Sequence, residues 1–123
     1  MSQIIDDNRP IFMQIAERIE NDILGGELPE ESQVPSTNQF ASFYQINPAT
    51  AAKGVNLLVD QGILYKKRGV GMFVSSGARE QLMRKRRELF YEQYIVTMLH
   101  EAHKLGVTKQ ELINMIQRGE HSR

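Results

Sequence analysis

Residues 34–62 read VPSTNQFASFYQINPATAAKGVNLLVDQG, and this stretch decides the fold. Ser36 followed three residues later by Gln39 is a capping box that starts a helix. Phe40, Phe43 and Tyr44 give that helix an apolar side, and it ends near Gln45. Asn47 is a good N-cap and Pro48 suits the first helical position, so another helix follows almost at once. Val55, Leu58 and Val59 form its buried side and Gly62 its end. Two short helices with so brief a connection are the signature of a helix-turn-helix.

Working outward, Ile11, Ile15, Ile19 and Ile23 recur every four residues and predict a preceding helix, opened by Pro10 as its first residue and stopped by Gly25-Gly26. Met1 to Arg9 reads as a loose arm, and Glu27 to Gln33 as an acidic loop. On the other side, Ile63-Leu64-Tyr65 and Met72-Phe73-Val74 read as short strands. Lys66-Lys67-Arg68-Gly69-Val70-Gly71 lies between them, with glycines that permit the positive φ of a tight hairpin. The order of helix, helix, helix and basic hairpin is that of a winged helix. Past Ser75-Ser76-Gly77 a long helix is expected from about Ala78 to Leu105, roughly 40 Å at the helical rise. Gly106 ends it. Thr108 and Glu111 form a second capping box that opens a last helix to about Arg118, and Gly119 to Arg123 is expected to fray. The fold class is therefore mainly α with a small β-hairpin: a winged helix-turn-helix over residues 1–75, followed by a two-helix region over residues 76–123.

Of the 123 residues, 41% are hydrophobic and 24% charged, which suits one compact domain with an appendage. Cysteine is absent, which excludes disulfides, thiol catalysis and the common structural zinc sites. No membrane span or signal peptide is expected, and a cytoplasmic location fits. The net charge of zero conceals an uneven distribution: from Ser36 to Ser75 the charged residues are Lys53, Lys66, Lys67 and Arg68 against Asp60 alone. A phosphate-facing surface is expected from that stretch.

In a winged helix the third helix presents its N-terminal face to the major groove, where base edges differ most. Asn47, Ala49, Thr50 and Lys53 are the candidates there. Ser36, Thr37 and Asn38 bring hydroxyls and backbone N–H groups suited to phosphate, and Lys66, Arg68 and Gly69 form the wing. Each has a plainer reading. Ser36 and Asn47 can serve as caps only, Lys53 as a solvated lysine, and the wing cations as protection of a strand edge. Their joint placement around a helix-turn-helix favours DNA.

Four segments carry a resemblance: Pro10 to Ala16, Val34 to Ala41, Ile46 to Thr50 and Gly62 to Val74. Together they resemble the GntR family of bacterial transcription regulators, and the short two-helix tail looks like the YtrA subfamily, whose tail serves dimerisation. The resemblance implies DNA contacts at Ser36, Thr37, Asn38, Asn47, Ala49, Thr50, Lys53, Arg68 and Gly69. It also implies a non-enzymatic repressor or activator acting on a pseudo-palindromic operator as a homodimer. Three departures matter. The family usually has arginine at Asn38 and often near Ala52, and asparagine cannot make arginine's bidentate contact to guanine, which leaves adenine open at Asn38. Gln45 stands in the turn where family members often have glycine.

Leu82, Leu89, Phe90, Tyr94, Ile95, Met98, Leu99, Ala102 and Leu105 line the long helix, and Leu112 and Ile116 the last one. One short helix cannot cover so long a stripe, and a second copy can. A dimer seam also leaves room for an unidentified small-molecule effector. Arg84 to Arg87 reads as a solvated basic face, or as a partner for phosphates or for Glu27, Glu30 and Glu31. His100 and His103 lie three apart, not the four of a zinc-protease helix, so no metal, cofactor or hydrolase activity is expected. The alternative function is a winged-helix protein–protein module without specific DNA binding.

Overall fold

The computed structural model describes residues 5–121. It falls into two compact units, Met1–Arg84 and Lys85–Arg123.

In the first unit the residues just before the first helix are tied down. Gln14 accepts from the Asp6 amide at 2.7 Å and donates to the carbonyls of Asp6 and Arg9, and Arg9 pairs with Glu17. The expected loose arm is thus corrected for residues 5–9, because a glutamine one turn into the helix ties the chain back. The rest of that expectation, residues 1–4, lies outside the described residues. Helix α1 spans Ile11–Gly25, with Pro10 as its N-cap. Ile15, Ile19 and Ile23 are buried to within 1%, each contributing roughly 1.5–3 kcal/mol by leaving water.

Helix α2 (Thr37–Tyr44) and helix α3 (Pro48–Asp60) follow the expected caps. Phe40 and Ala41 of α2 and Ala51, Val55 and Leu58 of α3 join the α1 stripe in one core. Phe43 does not, being 56% exposed. A helix of eight residues turns only one narrow face inward, and Phe40, Ala41 and Tyr44 take it. Between the two helices Gln45 adopts φ 57° and ψ 49°, the left-handed conformation where glycine is at ease. Its side chain returns a hydrogen bond to the Ser42 carbonyl at 3.0 Å.

Strands β1 (Leu64–Lys67) and β2 (Gly71–Val74) form an antiparallel pair, with Leu64 opposite Val74 and Lys67 opposite Gly71. Both strands reach closer to the tip than expected. Lys66 and Lys67 belong to β1, which leaves Arg68-Gly69-Val70 as the turn. The acidic loop also joins the sheet edge. Gln33 bridges Phe73, while Glu31 and Val34 donate to the Val74 and Met72 carbonyls at 2.8 and 2.9 Å.

Helix α4 (Ala78–Phe90) starts inside this unit, where Ala78 and Leu82 are fully buried in the same core. The compact unit therefore extends past the break expected after Ser75. Leu82 also leaves the set of dimerisation candidates, since a side chain with no exposed area has nothing to offer a second copy.

In the second unit the backbone of α4 passes into a π-helical run, Tyr91–Val96, then α5 (Thr97–Lys104) and α6 (Lys109–Glu120). The expected long helix is thus interrupted in its hydrogen-bonding pattern, and a π turn displaces a stripe counted at 3.6 residues. Thr108 and Glu111 form the expected capping box. The last helix continues through Gly119 and Glu120, residues expected to fray, while Ser122 and Arg123 lie outside the described residues. Ala102 is 6% exposed and therefore already covered, whereas Phe90, Tyr94, Leu105 and Ile116 are each more than half exposed.

Candidate nucleic-acid interface

The start of α2 is built by its own sequence. The Gln39 amide donates to the Ser36 hydroxyl oxygen at 3.1 Å, and the Ser36 amide donates to Gln39 Oε1 at 2.7 Å. Ser36 is therefore a cap, yet its hydroxyl proton is not consumed by that role. Asn38 beside it is exposed and Thr37 half-buried. Asn47 repeats the logic on α3, where Oδ1 accepts from the Ala49 amide at 2.7 Å. Its NH2 group keeps both donors for another acceptor. Ala49 and Lys53 are exposed, and Thr50 is half-buried one turn before Lys53.

The hairpin is stiffened from behind. Gln33 Nε2 donates to the Val70 carbonyl at 2.9 Å. Gly71, at φ 141°, lies so close that a Cβ there would sit 2.6 Å from that same nitrogen. Phe73 stacks on Tyr65 with centroids 5.9 Å apart, and the Lys67 ammonium lies 4.5 Å from the Phe73 ring centroid. Tyr65 donates to the Glu31 carboxylate at 3.1 Å. Desolvation, and then that bond, raise its pKa above the ordinary 10.0. Gly69 takes φ 79° at the tip beside exposed Arg68. Because strand side chains alternate, Lys66 faces away from the Lys67–Phe73–Tyr65 stack, so the basic triplet is not one patch.

A groove of about 480 Å³ is lined by Ser36, Gln39, Gln33, Val70 and Gly71, bringing the α2 cap and the wing together. Lys53 sits elsewhere, with its ammonium 4.1 Å from the centroid of the Phe12 ring. That contact exists because α1 and α3 touch backbone to backbone. A Cβ on Gly54 would lie 2.6 Å from the Phe12 carbonyl oxygen and 3.0 Å from Ile15 Cβ. Phe12, Gln33 and Gly54 were not among the sequence candidates. Only Gly54 left a trace, as a glycine inside an otherwise good helix.

Other candidates found different partners. Glu30 accepts from the Arg79 amide at 3.4 Å and Glu31 from Tyr65, while Arg84 pairs with Glu80 at 3.7 Å. Among the described residues no group of three His, Cys, Asp or Glu side chains is placed to hold a metal ion. No described helix is long and apolar enough to cross a membrane.

Comparison with known proteins fits this geometry. Residues 12–74 match the family described as bacterial regulatory proteins, gntR family. The chain is 35% identical over 74 residues to the HTH-type transcriptional repressor NagR of Bacillus subtilis, covering 60% of this chain and 30% of NagR. It spans less than a third of that relative. With the repressor YtrA of the same organism it shares 28% identity over 84% of this chain and 78% of YtrA. A GntR-family regulator structure from Bacteroides thetaiotaomicron superimposes with a TM-score of 0.77 at 32% identity, covering 91% of this chain and 97% of the other. The DNA-binding domain of AraR in complex with operator ORX1 gives 0.53 at 26% identity, covering 61% and 92%.

Proposed function

Because the chain belongs to the gntR family of bacterial regulatory proteins, we propose that it is a DNA-binding transcription regulator that acts in the cytoplasm as a homodimeric repressor on a pseudo-palindromic operator. The first unit, which takes in the start of α4, carries DNA binding, and the second, from Lys85 onward, carries dimerisation. Helix α3 enters the major groove with Asn47, Ala49 and Thr50 toward base edges. Ser36, Thr37, Asn38, Lys53, Lys66, Arg68 and Gly69 meet backbone and groove rim. Two such helices address half-sites roughly 34 Å apart or a multiple of it. The observation that carries the reading is the shared groove between the Ser36 cap and the wing, together with an α3 whose N-cap keeps its donors.

Repression is favoured because both curated relatives above are repressors. A homodimer is favoured by the exposed Phe90, Tyr94, Leu99, Leu105 and Ile116 of the second unit, for burial of such side chains drives association. Leu89, Ile95, Met98 and Leu112 complete that surface. A small-molecule effector, where one acts, belongs at the seam between copies.

A gel shift tests the reading, using a duplex that the protein selects from a random pool. Lys53→Ala and Arg68→Ala should each weaken binding and reduce the slope of log K against log salt by about 1. Wild-type affinity and slope in both variants would remove these residues from the interface.

A further inference from the structure

Lys53 and Phe12 lie on different helices, yet the lysine ammonium rests over the phenyl ring at 4.1 Å from its centroid. The next residue along α3 explains why the pairing is built in. Gly54 has no room for a Cβ against the Phe12 carbonyl oxygen, so the backbones carrying ring and ammonium are pinned together. Phe12 is half-buried and Lys53 exposed, which gives a packed ring and a solvent-facing cation. The ring face attracts the ammonium through its quadrupole. It satisfies charge without using hydrogen-bond directions, so the lysine's three N–H donors remain for oxygen acceptors. The wing repeats the device, with Lys67 over Phe73.

We propose that Phe12 is a positioning residue for DNA contact: its ring holds the Lys53 ammonium on the α1 side of α3, so that Lys53 meets a phosphate and not a base edge. The proposal rests on the DNA-binding reading of Lys53 given above. A lysine drawn aside toward α1 is not extended along the groove to a guanine edge. Charge attraction to phosphate, by contrast, needs no such extension and carries no sequence information. Holding the ammonium before DNA arrives also removes part of the ordering cost of binding.

The test combines three single variants and one double variant with two readouts. Phe12→Leu keeps an apolar side chain but no ring, and should weaken binding about two- to fivefold, the worth of an exposed cation–π contact. The loss should be equal on the selected duplex and on a scrambled duplex of the same composition. Phe12→Tyr keeps the ring and should keep the affinity. In a Lys53→Ala background, Phe12→Leu should change nothing further. In the free protein, the Lys53 methylene protons next to the ammonium should be shifted upfield by the ring in wild type and Phe12→Tyr, and should return to their ordinary position in Phe12→Leu. Absence of that shift overturns the pairing without reference to DNA. Additive losses from Phe12→Leu and Lys53→Ala overturn the positioning role, and a loss confined to the selected duplex overturns the phosphate assignment. If Lys53→Ala alone binds like wild type, the DNA-contact reading of Lys53 fails and this proposal with it, while the ring-current shift still reports whether the two side chains meet.

Discussion

Replacing Gly54 by alanine should destabilise the protein, against the usual preference of helices for alanine. The new Cβ would lie 2.6 Å from the Phe12 carbonyl oxygen and 3.0 Å from Ile15 Cβ. The first of these is a backbone atom, so no side chain can swing aside. Relief requires α1 and α3 to move apart, which loosens Ile15, Ile19, Val55 and Leu58 in the core. Overpacking of this kind costs about 3 kcal/mol at the upper end of its range. The helix propensity of alanine over glycine returns about 1 kcal/mol, leaving a net loss of about 2 kcal/mol. Gly119 supplies the control. It lies within α6 with nothing inside 4 Å of an added Cβ, so Gly119→Ala should stabilise by up to about 1 kcal/mol. Urea unfolding followed by circular dichroism at one chain concentration reads both. A Gly54→Ala midpoint equal to or above wild type would refute the argument that close approach of the backbones, and not chance, placed glycine there. The same variant should also lower affinity for the selected duplex, because α3 is displaced from its seat.

Gln45→Gly should raise stability by about 0.5–1 kcal/mol: a left-handed side-chain residue costs about 1–2 kcal/mol and glycine's extra unfolded freedom takes back about 0.5–1; a lower urea midpoint would contradict it. The Glu111 carboxyl sits below its ordinary 4.5 because of the Thr108 backbone N–H and then the Thr108 side chain. Its folded pKa being depressed, the cap's contribution is present above pH 4.5 and fades as pH falls through the lowered value. An NMR titration of that carboxyl should show the depression, and Glu111→Gln should remove the acid-side loss of α6 helicity; a midpoint above 4.5 would refute the cap's role. Finally, Leu82→Ala should cost about 2–5 kcal/mol of stability in the first unit and leave self-association unchanged, whereas Tyr94→Glu should weaken the dimer with the first unit's unfolding midpoint intact. Sedimentation and urea titration would disprove the assignment by giving the reverse pattern.

The amino-acid sequence determined whatever rests on neighbours a few residues apart. The Ser36–Gln39 box, the Asn47 cap with Pro48 and the Thr108–Glu111 box all formed as their spacing required, since each joins a side chain to a backbone group within one turn. The isoleucine stripe of α1 and the glycine turn of the hairpin were legible for the same reason. Tertiary structure alone decided which distant groups meet. It placed Gln33 behind the wing, Phe12 under Lys53, and Leu82 in the core of the first unit in place of a seam with a second copy. It also exposed Phe43 and split Lys66 from Lys67 across the two faces of β1. Periodicity tells which face of an element is apolar. What covers that face is settled by the packing of other elements, and no local spacing encodes that choice.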